Sequence, residues 1–198
     1  MISKLVAKFF VLALLVLSPI TLFGVSKKSD FFEFFFFRKI KFDTFAVSAS
    51  SVDNLKRNLL NKDGPRDPHG VHRYAVTKWD IKWNWPVRDG LSADYARSKV
   101  ATNIIIQVPK WRVEGASLGE LRKWQNIYIN LINHELEHAR TALKTASMMR
   151  SQLLDLDKMT NKSPDVGNKI ASKLIAKNRT WDLEYDKLTE HGKNQGVH

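Results

Sequence analysis

The stretch SLGELRKWQNIYINLINHELEHAR, residues 117–140, decides how this chain of 198 residues is read. Ser117 followed three residues later by Glu120 is a capping-box helix start. From Glu120 to about Thr160 neither Gly nor Pro interrupts the pattern, which predicts one long helix. NKS, residues 161–163, breaks it, and Ser163 with Pro164 restarts it, because Ser can cap a helix and Pro fits its first turn. Gly192 is the expected stop of this second helix. Two long helices joined by a short connection predict an antiparallel hairpin.

Upstream the texture is that of strands. KFDTFAVS, residues 41–48, reads as a strand, and SSVDNLKRNLLNKDGP, residues 50–65, as a short helix with Val52, Leu55 and Leu59 at helical spacing. RDPHGVH, residues 66–72, is loop by composition. RYAVTKWDIKWNWP, residues 73–86, alternates: Ala75, Thr77, Trp79, Ile81, Trp83 and Trp85 share one face, while Val76, Lys78, Asp80, Lys82 and Asn84 share the other. Such alternation marks a half-buried strand, stopped by Pro86, with its tryptophans in the core. VATNIIIQVP, residues 100–109, reads as a further strand closed by Pro109. The predicted fold class is α+β, a small antiparallel sheet packed on a long antiparallel helix pair, zincin-like in arrangement.

The length suits one domain with a real core. Lys4 and Lys8 precede the apolar run FFVLALLVLSPITLF, residues 9–23, and the small residues of GVS follow, so residues 1–26 read as a signal peptide, or as an N-terminal anchor if left uncleaved. The expected location is therefore secreted or periplasmic. Residues 27–40 form a Phe-rich connecting segment, and residues 41–198 the folded domain. A formal net charge of +12 and a pI near 9.9 favour anionic partners, here an envelope surface, since the export signal argues against nucleic acid. With no cysteine, any metal must be held by His, Asp or Glu.

The long helix offers such a set. His134 and His138 lie four apart, so their imidazoles stand one turn apart on one face. Glu135 is one position round, placed to reach a water without ligating. This is the H-E-x-x-H arrangement, in which a Zn2+ ion activates water and the Glu acts as general base. A chance match in a chain of this length has odds of roughly one in a hundred, so context has to decide. Ile127, Leu131, His134 and His138 follow at spacings of four, three and four, which carries the histidines along the apolar stripe, where two buried imidazoles without a shared purpose would be costly.

A third ligand is sought on the partner helix. Counting about 22 to 27 residues on either side of the turn puts the pair level with the span from Asp186 to His191. His191 continues the stripe Leu174, Lys177, Trp181, Tyr185 and Leu188 and is the expected third ligand; Asp186 is the rival, as a ligand or as the acceptor that orients an imidazole. Tyr185 could offer its phenol to the site. His69 and His72 read as ordinary loop residues.

In order and spacing, FAVSASSVDNL, NKDGPRDPHG, AVTKWDIKWNWP, VPKW at residues 108–111, HELEH and YDKLTEHGKNQG resemble a bacterial family of secreted proteins, domain of unknown function 922, described as predicted secreted Zn-dependent proteases. The resemblance covers about residues 40–196 and excludes the FFEFFFF tract. It implies zinc on His134 and His138, catalysis by Glu135, and a place in the shared pattern for His191 and Gly192. The expected function is thus a zinc metallopeptidase acting on a peptide or protein substrate. Two alternatives stand beside it: an envelope protein merely stapled by zinc, and a basic surface-binding module without metal.

Overall fold

The computed structural model describes residues 40–160 and 162–197. The signal or anchor segment and residues 27–39 of the Phe-rich segment lie outside the described residues. The elements run β1 (Ile40–Ala49), α1 (Val52–Asn58), a wide helical turn (Leu59–Asp63), β2 (Val76–Asn84), the short pair β3 (Val87–Arg88) and β4 (Ser92–Ala93), a turn (Tyr95–Arg97), β5 (Lys99–Val113), α2 (Leu118–Leu156) and α3 (Pro164–Thr189). The class is α+β, as the alternating and helical periods predict. No helix among the described residues is long and apolar enough to cross a membrane.

The sheet corrects the expectation of a purely antiparallel one. Its order is β1-β5-β2, with β2 antiparallel to β5 but β1 parallel to it. Three strands alternating in direction along the chain leave the first and third parallel, and here the third inserts between the first two. The central place falls to the strand with most to bury: Ile104, Ile106 and Val108 of β5 are each at most 1% exposed. β5 also runs four residues past Pro109, where the sequence predicts its end. β2 stops opposite Gln107, so beyond it β5 is paired on the β1 side alone, a one-sided position that tolerates a residue without an N–H.

Helix caps follow the sequence closely. The Ser117 hydroxyl accepts the Glu120 N–H, and the Ser163 hydroxyl accepts the Asp165 N–H. The Glu120 carboxylate, however, reaches across to accept the Val52 N–H at 2.6 Å, so it caps α1 rather than its own helix and ties the two starts together. At the other end, Tyr95 is fully buried, donates to the Ser163 carbonyl and accepts the Gly167 N–H, which pins the start of α3.

Two apolar clusters lie along α2. One gathers Leu55, Leu59, Ile106, Val108 and Leu131 beneath the sheet, and the other gathers Ile81, Tyr95, Met149, Leu153 and Leu174. Across α2 and α3, Thr145 meets Asn178, His138 meets Asp182 and His134 meets Asp186, so partners climb α3 as they descend α2. The inward stripe of α3 differs from the predicted one. It runs through Ala171, Leu174, Asn178, Asp182, Asp186 and Thr189, whereas Lys177 is exposed and Leu188 is 77% exposed. Polar residues hold the inward positions because they build a site.

Candidate metal centre

His134 and His138 are 4% and 7% exposed, as expected of residues on the buried stripe of α2. Their rings stand 5.1 Å apart, edge to face. The Nε2 atoms of both lie 3.1 Å from a single oxygen, Oδ1 of Asp186. The ligand-type atoms of these three residues all fall within 4.8 Å of one another, and the three could hold a metal ion.

The remaining ring atoms decide what can occupy that point. His138 Nδ1 is 2.7 Å from Asp182 Oδ1, and His134 Nδ1 is 2.9 Å from the side-chain oxygen of Gln195. A carboxylate and an amide oxygen only accept, so each Nδ1 carries the proton and donates it. In the neutral imidazoles both Nε2 atoms then present lone pairs, facing a carboxylate oxygen that also presents lone pairs. Three such acceptors converging on one point could hold a cation there. A tetrahedral zinc at about 2.1 Å from each ligand sets ligand atoms roughly 3.4 Å apart, close to the 3.1 Å spacings found. Without a metal, the second proton of an imidazole fills the role. Burial opposes charge on His138, but the Asp182 and Asp186 carboxylates outweigh it and push its pKa up to about 10. Burial likewise works against Asp186, yet its close contacts with His134 and His138 hold it well below the usual carboxylate range.

The surroundings fix this set in place. Trp79 of β2 donates from Nε1 to the second oxygen of Asp182 at 2.8 Å, so the strand orients the carboxylate that orients His138. Tyr185 stacks on the His134 ring at 5.0 Å and on Trp181 at 4.9 Å, and meets His138 edge to face. Its hydroxyl accepts from the Gln195 amide at 3.0 Å. Tyr185 thus packs the imidazoles and is not one of the three clustered donors.

Glu135 is 5% exposed, and the Thr77 hydroxyl of β2 donates to its carboxylate at 2.7 Å. Burial raises its pKa, partly offset by the nearby His138 and His134 and by Thr77. A carboxyl raised in this way holds a proton more readily than an exposed one.

His191, the expected third ligand, is not on α3. The helix ends at Thr189, and Glu190, His191 and Gly192 follow with φ of 49°, 53° and 83°. This left-handed run turns the His191 side chain outward to 45% exposure, with Nδ1 3.5 Å from the other oxygen of Asp186. Burial and the Arg73 guanidinium lower its pKa. The same run folds residues 193–197 back, delivering Gln195 to His134 and burying Val197. Gly192 permits this: a Cβ there would stand 2.8 Å from Val197 and 3.4 Å from His134. His69 and His72 stay in the 64–73 loop, where His72 Nδ1 meets the Gly64 carbonyl.

Sequence reasoning missed Thr77, Asp182 and Gln195. Asp182 left a signal, since it precedes Asp186 by four, the same spacing as the two histidines. Gln195 left none, because its approach depends on a backbone reversal.

The family described as bacterial protein of unknown function (DUF922) matches residues 42–192. No curated protein and no solved structure matches the chain.

Proposed function

The chain belongs to the bacterial family of unknown function DUF922, and from that premise we propose that it is a zinc-dependent peptidase. The observation that carries the reading is the convergence of the His134 and His138 Nε2 atoms on Asp186 Oδ1, with the buried carboxyl of Glu135 beside them.

His134, His138 and Asp186 would hold the ion; Asp186 takes the third place because its Oδ1 is shared by both Nε2 atoms, whereas His191 faces its outer oxygen. Zinc in this setting supplies Lewis acidity toward a water and a scissile carbonyl. Glu135 accepts the proton of the attacking water and returns it to the leaving amine, with Thr77 anchoring the carboxyl against rotation. Asp182 and Gln195 keep both imidazoles in the ligating tautomer. Among the described residues the cluster has three donors, which leaves a place for water and favours hydrolysis over a closed structural staple.

We read α2 and α3 as an antiparallel pair and the architecture as zincin-like, on the descending series of contacts between them. The outer edge of β2, which pairs only with β5 among the described residues, is suited to an extended peptide added as a strand. The lysines and apolar run near the start support a secreted or periplasmic location, where the positive charge would favour an anionic envelope surface.

The test is Glu135→Gln, assayed for metal content and for cleavage of a peptide library. We expect zinc retained at the level of the unaltered protein and cleavage lowered about 10²-fold or more. Cleavage at the unaltered rate would remove Glu135 from the mechanism.

A further inference from the structure

An open groove of about 900 Å3 lies at the far end of β2, away from the histidines. Trp85, Pro86, Arg97, Ser98, Lys99 and Arg150 line most of it. Three cations from three places, the turn before β5, β5 itself and α2, thus converge with no carboxylate in the lining. Asp94 is buried and accepts from Arg88 at 2.7 Å, and Arg97 meets the same oxygen only at 3.8 Å. Lys99 is exposed and makes no ion pair among the described residues, nor does Arg150, whose guanidinium donates to the Ser98 hydroxyl at 3.3 Å. Ser98 is buried, so this bond holds the Arg150 head at the groove wall.

The groove shares an axis with the metal centre. Thr77, which holds Glu135, and Asn84, which borders the groove, are the two ends of one strand, about 23 Å apart at strand rise. Along α2, Glu135 and Arg150 are separated by about 22 Å at helix rise. An extended chain paired along the free edge of β2 would therefore run from the ion-binding point into the basic groove.

We propose that this groove binds a carboxylate-rich segment of peptide, and so selects substrates carrying acidic residues about seven positions from the bond cleaved, at one residue per strand position. The proposal rests on the peptidase reading for its substrate, and on the groove alone for its chemistry. A single exposed ion pair contributes little, but Lys99 and Arg150, without ion pairs among the described residues, and a loosely paired Arg97 around one cleft act together and respond to salt.

The experiment is fluorescence anisotropy on the full chain carrying Glu135→Gln, loaded with zinc. Two labelled peptides span both sites and differ only in a run of Asp or of Asn at one end. We expect the Asp peptide to bind at least about tenfold tighter, with the difference shrinking as salt rises. The surface pair Arg97→Gln and Lys99→Gln should abolish that preference while leaving zinc content unchanged. Equal binding of the two peptides, or a preference untouched by the pair, overturns the proposal. So does retention on phosphatidylglycerol vesicles through these residues without peptide discrimination. An Asp preference in the Glu135→Gln variant, with neither peptide cleaved by the zinc-loaded protein that keeps Glu135, supports the groove and overturns the peptidase reading alone.

Discussion

The three donors at the metal centre are unequal in how they are held, and that sets what substitution should do. Asp186 Oδ1 faces both imidazoles, so Asp186→Ala removes the proposed third ligand and leaves two ring nitrogens without their shared partner. Zinc affinity, measured by competition with a chromogenic chelator, should fall at least about 10²-fold. Asp182→Asn keeps a carbonyl-type acceptor but removes the charge that favours the ligating tautomer of His138, and should cost about 10- to 100-fold. His191→Ala should cost less than either. If His191→Ala weakens zinc binding more than Asp186→Ala, the ligand assignment reverses. The sequence spacing of His134 and His138 made the pair legible, because a helix dictates which residues share a face. The choice between Asp186 and His191 was not legible, since it turns on whether the helix ends before or after residue 190, and boundaries are set by local caps.

At the level of elements, polar residues displaced the apolar stripe predicted for α3. Leu174 begins both versions, but the true path continues through Asn178, Asp182 and Asp186, which an apolar-periodicity reading discards. The predicted path runs through Lys177, Trp181, Tyr185 and Leu188: Lys177 and Leu188 face water, while Trp181 and Tyr185 pack on the histidines. The start of α3 is fixed by a close approach: a Cβ on Gly167 would stand 2.5 Å from the Tyr95 ring and 2.8 Å from Trp85. Gly167→Ala therefore sets a helix-propensity gain of about 1 kcal/mol against an overpacking cost of about 1–3 kcal/mol, in a core where Tyr95 has no room to yield. Urea unfolding should show a net loss of up to about 2 kcal/mol. A more stable Gly167→Ala variant would mean that α3 is free to shift on Tyr95.

For the molecule as a whole, the converging acceptors tie folding to whichever cation they hold. In the metal-free fold His138 keeps its proton up to about pH 10, against an ordinary value of 6.5. A pKa raised on folding stabilises fully below 6.5, and that contribution is lost as pH rises toward 10. The melting temperature in chelator should therefore fall across that window. With zinc present the ion replaces the proton, and the alkaline decline should shrink. A gap between the zinc and chelator curves that stays constant from pH 6.5 to 10 would count against this linkage. At the acid end the proton competes with zinc, so occupancy should drop below about pH 6. Local signals in the sequence determined the two helices and their serine N-caps, the inward face of β2, and the His134, Glu135 and His138 set, because periods of 3.6 and 2 and capping chemistry act over a few residues. Only the tertiary structure decided that β5 inserts between β1 and β2, that Glu120 caps a different helix, and that Asp186, Asp182, Thr77 and Gln195 meet the two histidines. Those outcomes depend on which surfaces bury the most apolar area and on where a left-handed turn sends the chain, and both are settled by residues far apart in sequence.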